Sequence, residues 1–186
     1  MKNNNKVSAF KLGEIIEGYN YLVLNERAVR ASAGIMLLLA SIASINGFIL
    51  KNYYVIPYIV GFLLINFLLG VFLNQRFVPT FILGTWIVSK QKPIYMGAIQ
   101  KKFAWSLGGL LSGIIFVLSF KLLSDISYFQ PVCFLCVICI LLMYLESVFG
   151  ICIGCKLYSL ARKLKLIKEP EYDPECMGGS CEINNE

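Results

Sequence analysis

Four stretches of this 186-residue chain are apolar for long enough to cross a bilayer, running roughly from Ala33 to Leu50, Tyr54 to Leu73, Phe103 to Leu123 and Pro131 to Ile153. A spanning helix needs about 20 residues at about 1.5 Å of rise each. Only 15% of the residues are charged, against about 25% in an ordinary soluble domain. A single domain of this size cannot hide so much apolar surface from water. The expected fold class is therefore all-α: a polytopic membrane protein with four transmembrane helices and a short interfacial segment between helices 2 and 3.

The same composition excludes several chemistries. The chain has no histidine, which removes Ser-His-Asp and Cys-His catalysis and every imidazole metal site. Its two aspartates, Asp125 and Asp173, argue against a paired-carboxylate hydrolase. The formal net charge of +6 is explained by basic loops beside apolar spans, and no nucleic-acid partner is expected.

Basic residues give the direction of the spans. Of the 17 lysines and arginines, all but Lys51 and Lys121 fall in the N-terminal segment, the second loop or the C-terminal tail. Cytoplasmic loops carry such an excess, so both termini are expected in the cytoplasm. The charged segment 1–31 is unlike a secretory signal, so the first span is expected to be retained. The boundaries read from these patterns are an N-terminal segment over 1–31 and a four-helix membrane domain over 32–155. A basic amphipathic helix follows over 156–168, then a disordered acidic tail over 169–186.

Two shorter segments punctuate this plan. Phe77 to Val88 is apolar but too short to cross, so it is expected to lie at the interface or re-enter partway, with Pro79 and Gly84 arguing against a rigid helix throughout. Leu157, Leu160, Leu164 and Ile167 recur at helical spacing, with Arg162, Lys163 and Lys165 on the other side. That pattern suits a helix lying on an anionic leaflet. Beyond Lys168 come six acidic residues and no basic ones, together with prolines and glycines.

All seven cysteines lie in the last third of the chain. Cys133, Cys136 and Cys139 form CFLCVIC at the outer end of the fourth span, Cys152 and Cys155 form CIGC at its inner end, and Cys176 and Cys181 flank MGGS in the tail. Residues three apart on a helix share a face, so each close pair can present two thiols to one partner, one metal or one disulfide. At the C-terminal end of a helix the dipole disfavours a thiolate, so CIGC is expected to be less readily ionised than Cys133. Packing is an alternative for the outer triplet, because cysteine behaves as a small apolar residue. Burial cannot account for Cys176 and Cys181 in a polar tail, where metal binding or transient redox chemistry is the natural reading.

Spacing limits the traffic between these groups. Cys139 and Cys152 lie about 20 Å apart along one helix, far beyond the roughly 7 Å that a disulfide spans. The 21 residues from Cys155 to Cys176 are enough for the tail to fold back onto CIGC. Glu146, inside the fourth span, is an ionisable group where such groups are costly. It shares a helical face with Cys139, Met143 and Gly150. It either bonds neighbouring helices through Ser147, Asn46 or Asn66, or serves in a proton-relay or substrate role. Arg27 and Arg30 are most simply topology anchors, with an anion-binding role as the alternative.

Three strings carry a resemblance: NERAVRA (Asn25 to Ala31), GAIQKKFAW (Gly97 to Trp105) and ESVFGICIGCKLY (Glu146 to Tyr158). Together they resemble a bacterial integral membrane family catalogued as domain of unknown function 4395, over about Leu24 to Leu160. The resemblance implies a four-helix membrane protein in which Glu146, Cys152 and Cys155 are family features, and it implies no established activity. Through association of some relatives, it suggests a thioredoxin-like or sulfurtransferase protein as partner, beside the lipid bilayer itself. Vitamin K epoxide reductase-like proteins also place a CxxC near the outer end of a fourth helix. Here the first outer loop, Lys51 to Tyr53, carries no cysteine pair, which argues against a disulfide-generating role of that kind.

The leading expectation is thiol–disulfide or sulfur-compound handling at the cytoplasmic face. Cys152 and Cys155 form the embedded pair, Cys176 and Cys181 the mobile pair, and Glu146 a proton partner. The alternative from another class is a soft metal ion (Cu, Zn or Hg) held or moved by the same four thiolates. A non-catalytic structural bundle is the third.

Overall fold

The apolar runs fold as four long helices in the computed structural model, which describes residues 12–16 and 21–165. The expected acidic tail, with Cys176 and Cys181, and the end of the expected basic helix lie outside the described residues. In chain order the elements are β1 (Val23–Asn25), α1 (Glu26–Phe48), α2 (Val55–Phe72), α3 (Pro79–Ile87), β2 (Tyr95–Gly97), α4 (Ala98–Ser124), α5 (Phe129–Phe149) and α6 (Ile153–Lys163). Single 3-10 turns at Gln75–Phe77 and Ile126–Tyr128 lead into α3 and α5. Among the described residues four helical segments are long and apolar enough to cross a membrane: Glu26–Phe48, Val55–Phe72, Ala98–Ser124 and Ile126–Phe149.

Two side-by-side packings build the bundle: α2 lies along α4 and α1 along α5. The buried stripe of α1 is made largely of small residues, Ala33, Ala40, Ala43 and Gly47. In lipid, helices gain little from burying oil against oil, and small side chains let backbones approach. Large apolar side chains such as Leu38, Tyr58, Leu110 and Phe134 point outward and are exposed, as a surface facing hydrocarbon requires.

Two pieces of local structure sit at the end of the bundle where α1 and α4 begin. β1 and β2 pair antiparallel, with Leu24 opposite Met96, and the ladder is extended by Glu26 N donating to Ile94 O at 2.7 Å and Ala98 N to Leu22 O at 3.0 Å. This ladder, absent from the sequence expectation, clasps the starts of α1 and α4 together. α3 packs against α1 at the same end. Contrary to expectation it is a continuous helix. Pro79 occupies its first turn, where the missing N–H costs nothing, and Gly84 lets its backbone approach the Ala28 carbonyl and Ser32 amide of α1.

A buried polar relay fixes α3. Ser32 Oγ donates to Thr80 Oγ1 at 2.8 Å, Thr80 Oγ1 donates to Asn66 Oδ1 at 3.0 Å, and Asn66 Nδ2 donates to Phe62 O at 2.8 Å. The Thr80 amide also donates to Asn66 Oδ1, at 3.2 Å, and all three side chains are buried. Asn66→Ala strands these donors without solvent. A cost of about 1–3 kcal/mol is expected, read as a lower thermal unfolding midpoint in detergent micelles.

Candidate functional site

The fourth membrane helix stops earlier than its apolar run. Sequence reading extends it to Ile153, but α5 ends at Phe149 because Gly150 takes a left-handed φ of 68°, a conformation that favours glycine at helix ends. The Arg30 guanidinium fills the space where a side chain at 150 would lie. Ile151 N closes the turn on Leu145 O at 3.0 Å.

The chain then starts a new helix, and Cys152 is its N-cap: Cys152 Sγ accepts from Cys155 N at 3.3 Å. This corrects the expectation that CIGC lies at a helix C-terminus. Cys152 and Cys155 occupy the start of α6, where the helix dipole stabilises negative charge instead of opposing it.

α6 is pressed onto α4. Gly154 faces Ala104 so closely that an added Cβ would lie 2.6 Å from the alanine Cβ. One turn further on, the rings of Tyr158 and Phe103 meet at 5.5 Å. This contact carries the cysteines to Lys101 in the first turn of α4. Lys101 is fully buried; its ammonium forms an ion pair with Glu146 and lies 3.8 Å from Cys152 Sγ. A buried ammonium is tolerable only when opposite charge compensates it, and here a carboxylate and a thiol both face it.

The hydrogen-bond partners expected for Glu146 are replaced by Lys101. Asn66 is committed to Thr80, Asn46 Nδ2 donates to its own helix at Ile42 O, and Ser147 Oγ to Tyr144 O. A cavity of about 280 Å³ opens over the group, lined by Glu26, Arg30, Lys101, Glu146, Cys152 and Cys155 among others. The β ladder brings Glu26, first in α1, to the same wall as Lys101. Arg30 reaches back to Glu26 at 3.8 Å.

The two thiols differ sharply. Cys155 Sγ donates to Cys152 Sγ at 2.7 Å, and both are free cysteines. That donated hydrogen bond, aided by the Lys101 charge and the Cys155 amide, outweighs burial and holds Cys152 down to about 6. Cys155 is pushed up by giving its proton to Cys152 and by burial. The pair therefore holds one thiolate and one thiol near neutral pH, the division of labour that an attacking and a resolving cysteine need.

The strings that carried the resemblance are those that meet here: Glu26 and Arg30 from the first, Lys101 from the second, Glu146 to Cys155 from the third. Residues 24–163 match the family described as Domain of unknown function (DUF4395). The chain belongs to the DUF4395 family. No curated protein and no solved structure matches it.

In this DUF4395 chain three of the residues singled out from sequence, Glu146, Cys152 and Cys155, converge. Cys176 and Cys181 lie outside the described residues. Among the described residues no group of three or more His, Cys, Asp or Glu side chains is placed to hold a metal. The outer cysteines take a different position: Cys139 is buried in the core of the bundle, and Cys133 and Cys136 are half-buried along α5. Sequence reading missed Lys101, counting it among the topology-setting charges. A signal was present, because Lys101 stands four residues before the buried Trp105 and so falls on the inward stripe of α4.

Proposed function

We propose that this DUF4395 protein is a membrane-embedded dithiol that exchanges disulfides with a partner at the cytoplasmic face. Cys152 is the attacking thiolate and Cys155 the resolving thiol. The single observation that carries this reading is the hydrogen-bonded pair at the start of α6 with a buried lysine beside it. The cytoplasmic side is supported by the concentration of basic residues at the same ends of the spans. The Cys152 thiolate attacks one sulfur of a substrate disulfide, the other sulfur leaves as a thiolate, and a mixed disulfide forms. Cys155 then attacks Cys152 Sγ, releasing the second substrate thiol and closing a Cys152–Cys155 disulfide. A thioredoxin-like protein, a sulfurtransferase or the chain's own Cys176–Cys181 pair are the exchange partners this chemistry suits. Lys101 and Glu146 hold the charge balance while the thiolate is consumed and regenerated.

The test uses an aromatic disulfide reporter on the purified full chain. Thiolate content rises with pH, so the reaction of Cys152 is expected to reach half its maximum near pH 6, where an ordinary cysteine does so at about 8.5. Cys155→Ser should accumulate a mixed disulfide that the unaltered chain resolves, and Cys152→Ser should form none at this site. An unreactive Cys152 from pH 6 to 9 would refute the reading.

A further inference from the structure

Cys152 stands at the junction of two cavities that differ in their charged side chains. The more polar one, of about 280 Å³, is lined by Lys101, Arg30 and Lys156 beside apolar side chains such as Met96 and Phe149. The second, of about 110 Å³, is lined by Phe67, Leu107, Leu111, Leu142, Met143 and Leu157 among others, and it shares Cys152 and Glu146 with the first. The apolar cleft runs between α4, α5 and α6, all of which carry outward apolar side chains in the membrane region or at its edge. From Cys152 it reaches inward past Met143 to Cys139, on successive turns of α5. A water-soluble protein disulfide needs only the polar cavity, so disulfide exchange leaves the apolar cleft without a use.

We infer that the cleft delivers lipid hydroperoxides to Cys152, so that the dithiol reduces oxidised acyl chains and is then re-reduced by a partner protein dithiol, which runs the exchange described above in reverse and is itself oxidised to a disulfide. The inference rests on that reading of Cys152 and Cys155. Two observations single out this substrate class. The cleft is lined almost wholly by apolar side chains and lies between helices that carry apolar side chains outward, so it accepts a stretch of acyl chain and not a polar solute. A peroxide also needs what surrounds Cys152: a thiolate to attack oxygen, a cation beside the leaving oxygen, and a second thiol in contact.

The step balances. Cys152 Sγ attacks the terminal oxygen of the hydroperoxide, the O–O bond breaks, and its electron pair leaves on the alkoxide, which faces the Lys101 ammonium and takes a proton from water in the polar cavity. Cys152 is left as a sulfenic acid. Cys155 attacks its sulfur, the S–O bond breaks, and the departing hydroxide takes the Cys155 proton and leaves as water; the proton that Cys152 lost on ionising balances the one taken up by the alkoxide. The hydroperoxide is reduced to the alcohol and the dithiol is oxidised to the disulfide.

The test compares phosphatidylcholine hydroperoxide, hydrogen peroxide and the aromatic disulfide as oxidants of the full chain reconstituted in vesicles. Sulfenic acid is trapped with dimedone in a Cys155→Ser background and read by mass. At equal concentration in the membrane phase, the lipid hydroperoxide is expected to outpace hydrogen peroxide at least tenfold. Leu111→Trp and Leu142→Trp, which fill the cleft away from the thiols, should lose at least fivefold of the rate with the lipid hydroperoxide. They should react with the aromatic disulfide as the parent does, which also shows that they are folded. Oxidation of both cleft variants by the lipid hydroperoxide at the parental rate would overturn the inference. So would a parent chain that reacts with the disulfide but not with the lipid hydroperoxide, an outcome that leaves disulfide exchange standing. Failure with all three oxidants would remove both.

Discussion

Lys101→Met is expected to move the half-maximal pH for Cys152 reaction upward from about 6 by more than one unit. The side chain is similar in length, so the space between α4 and α6 stays filled while the cation beside Cys152 Sγ is lost. Glu146 is then left as a carboxylate without its partner, which adds repulsion toward a thiolate and reinforces the shift. The pH midpoint is the informative quantity. A thiol of higher pKa is also intrinsically more nucleophilic, with a Brønsted slope of about 0.4–0.5, and this offsets much of the change in rate at pH 7. Near pH 5.5, below both midpoints, the offset is incomplete and a shift of one unit should leave the variant slower by roughly threefold. Lys101→Arg, which keeps the charge, should remain close to the parent midpoint. Equal midpoints for the methionine and arginine variants would show that the cation does not tune the thiol.

Gly154→Val is expected to damage fold and site together. Any Cβ at this position would lie 2.6 Å from Ala104 Cβ and 2.7 Å from Ala104 Cα, and backbone cannot swing aside as a side-chain tip can. Overpacking of this kind costs about 1–3 kcal/mol, and relief requires α6 to move off α4. Cys152 caps α6, so that movement takes the thiol away from Lys101. The expected result is a lower thermal midpoint in micelles accompanied by a Cys152 titration displaced toward that of an ordinary cysteine. Gly113→Ala is the matched control. Its Cβ would meet only the Leu64 side chain, at 3.8 Å, and both readings should stay near parental values. A Gly154→Val protein with an unchanged titration would mean that α6 does not need α4 to position its cysteines.

The spans were legible because their signal is summed over about 20 residues, and errors at the ends do not change the outcome. The ends themselves were not. Gly150 sits in a run of apolar residues that continues through Ile151 and Ile153, so hydropathy alone extends the helix past the bend. The information that stops it is a backbone dihedral that only the arrival of Arg30 and the restart at Cys152 reveal. Misplacing that boundary by four residues inverted the expected electrostatics of Cys152, from the negative end of one helix to the positive end of the next. Lys101 was obscured for a different reason. A lysine doublet at the start of a span normally anchors the chain at the interface, and Lys102 is indeed exposed while its neighbour Lys101 is fully buried. Glu146 was visible as an outlier from its position alone, but its partner came from a segment 45 residues away in the chain, a pairing that no local pattern encodes.

With 27 residues, α4 is about 40 Å long, whereas a hydrocarbon core is about 30 Å thick. Tilt absorbs part of the difference, and the remainder carries the first turn of α4 into the headgroup layer. On the function proposed above, the thiolate beside Lys101 works within the electrical double layer of the bilayer rather than in bulk water. A leaflet rich in anionic lipid holds its surface near about −30 mV, which concentrates protons there roughly threefold, at about 59 mV per decade. The headgroup composition of the host bilayer therefore sets about half a pH unit of the ionisation of Cys152, and the same sulfur is a weaker base over zwitterionic lipid than over phosphatidylserine.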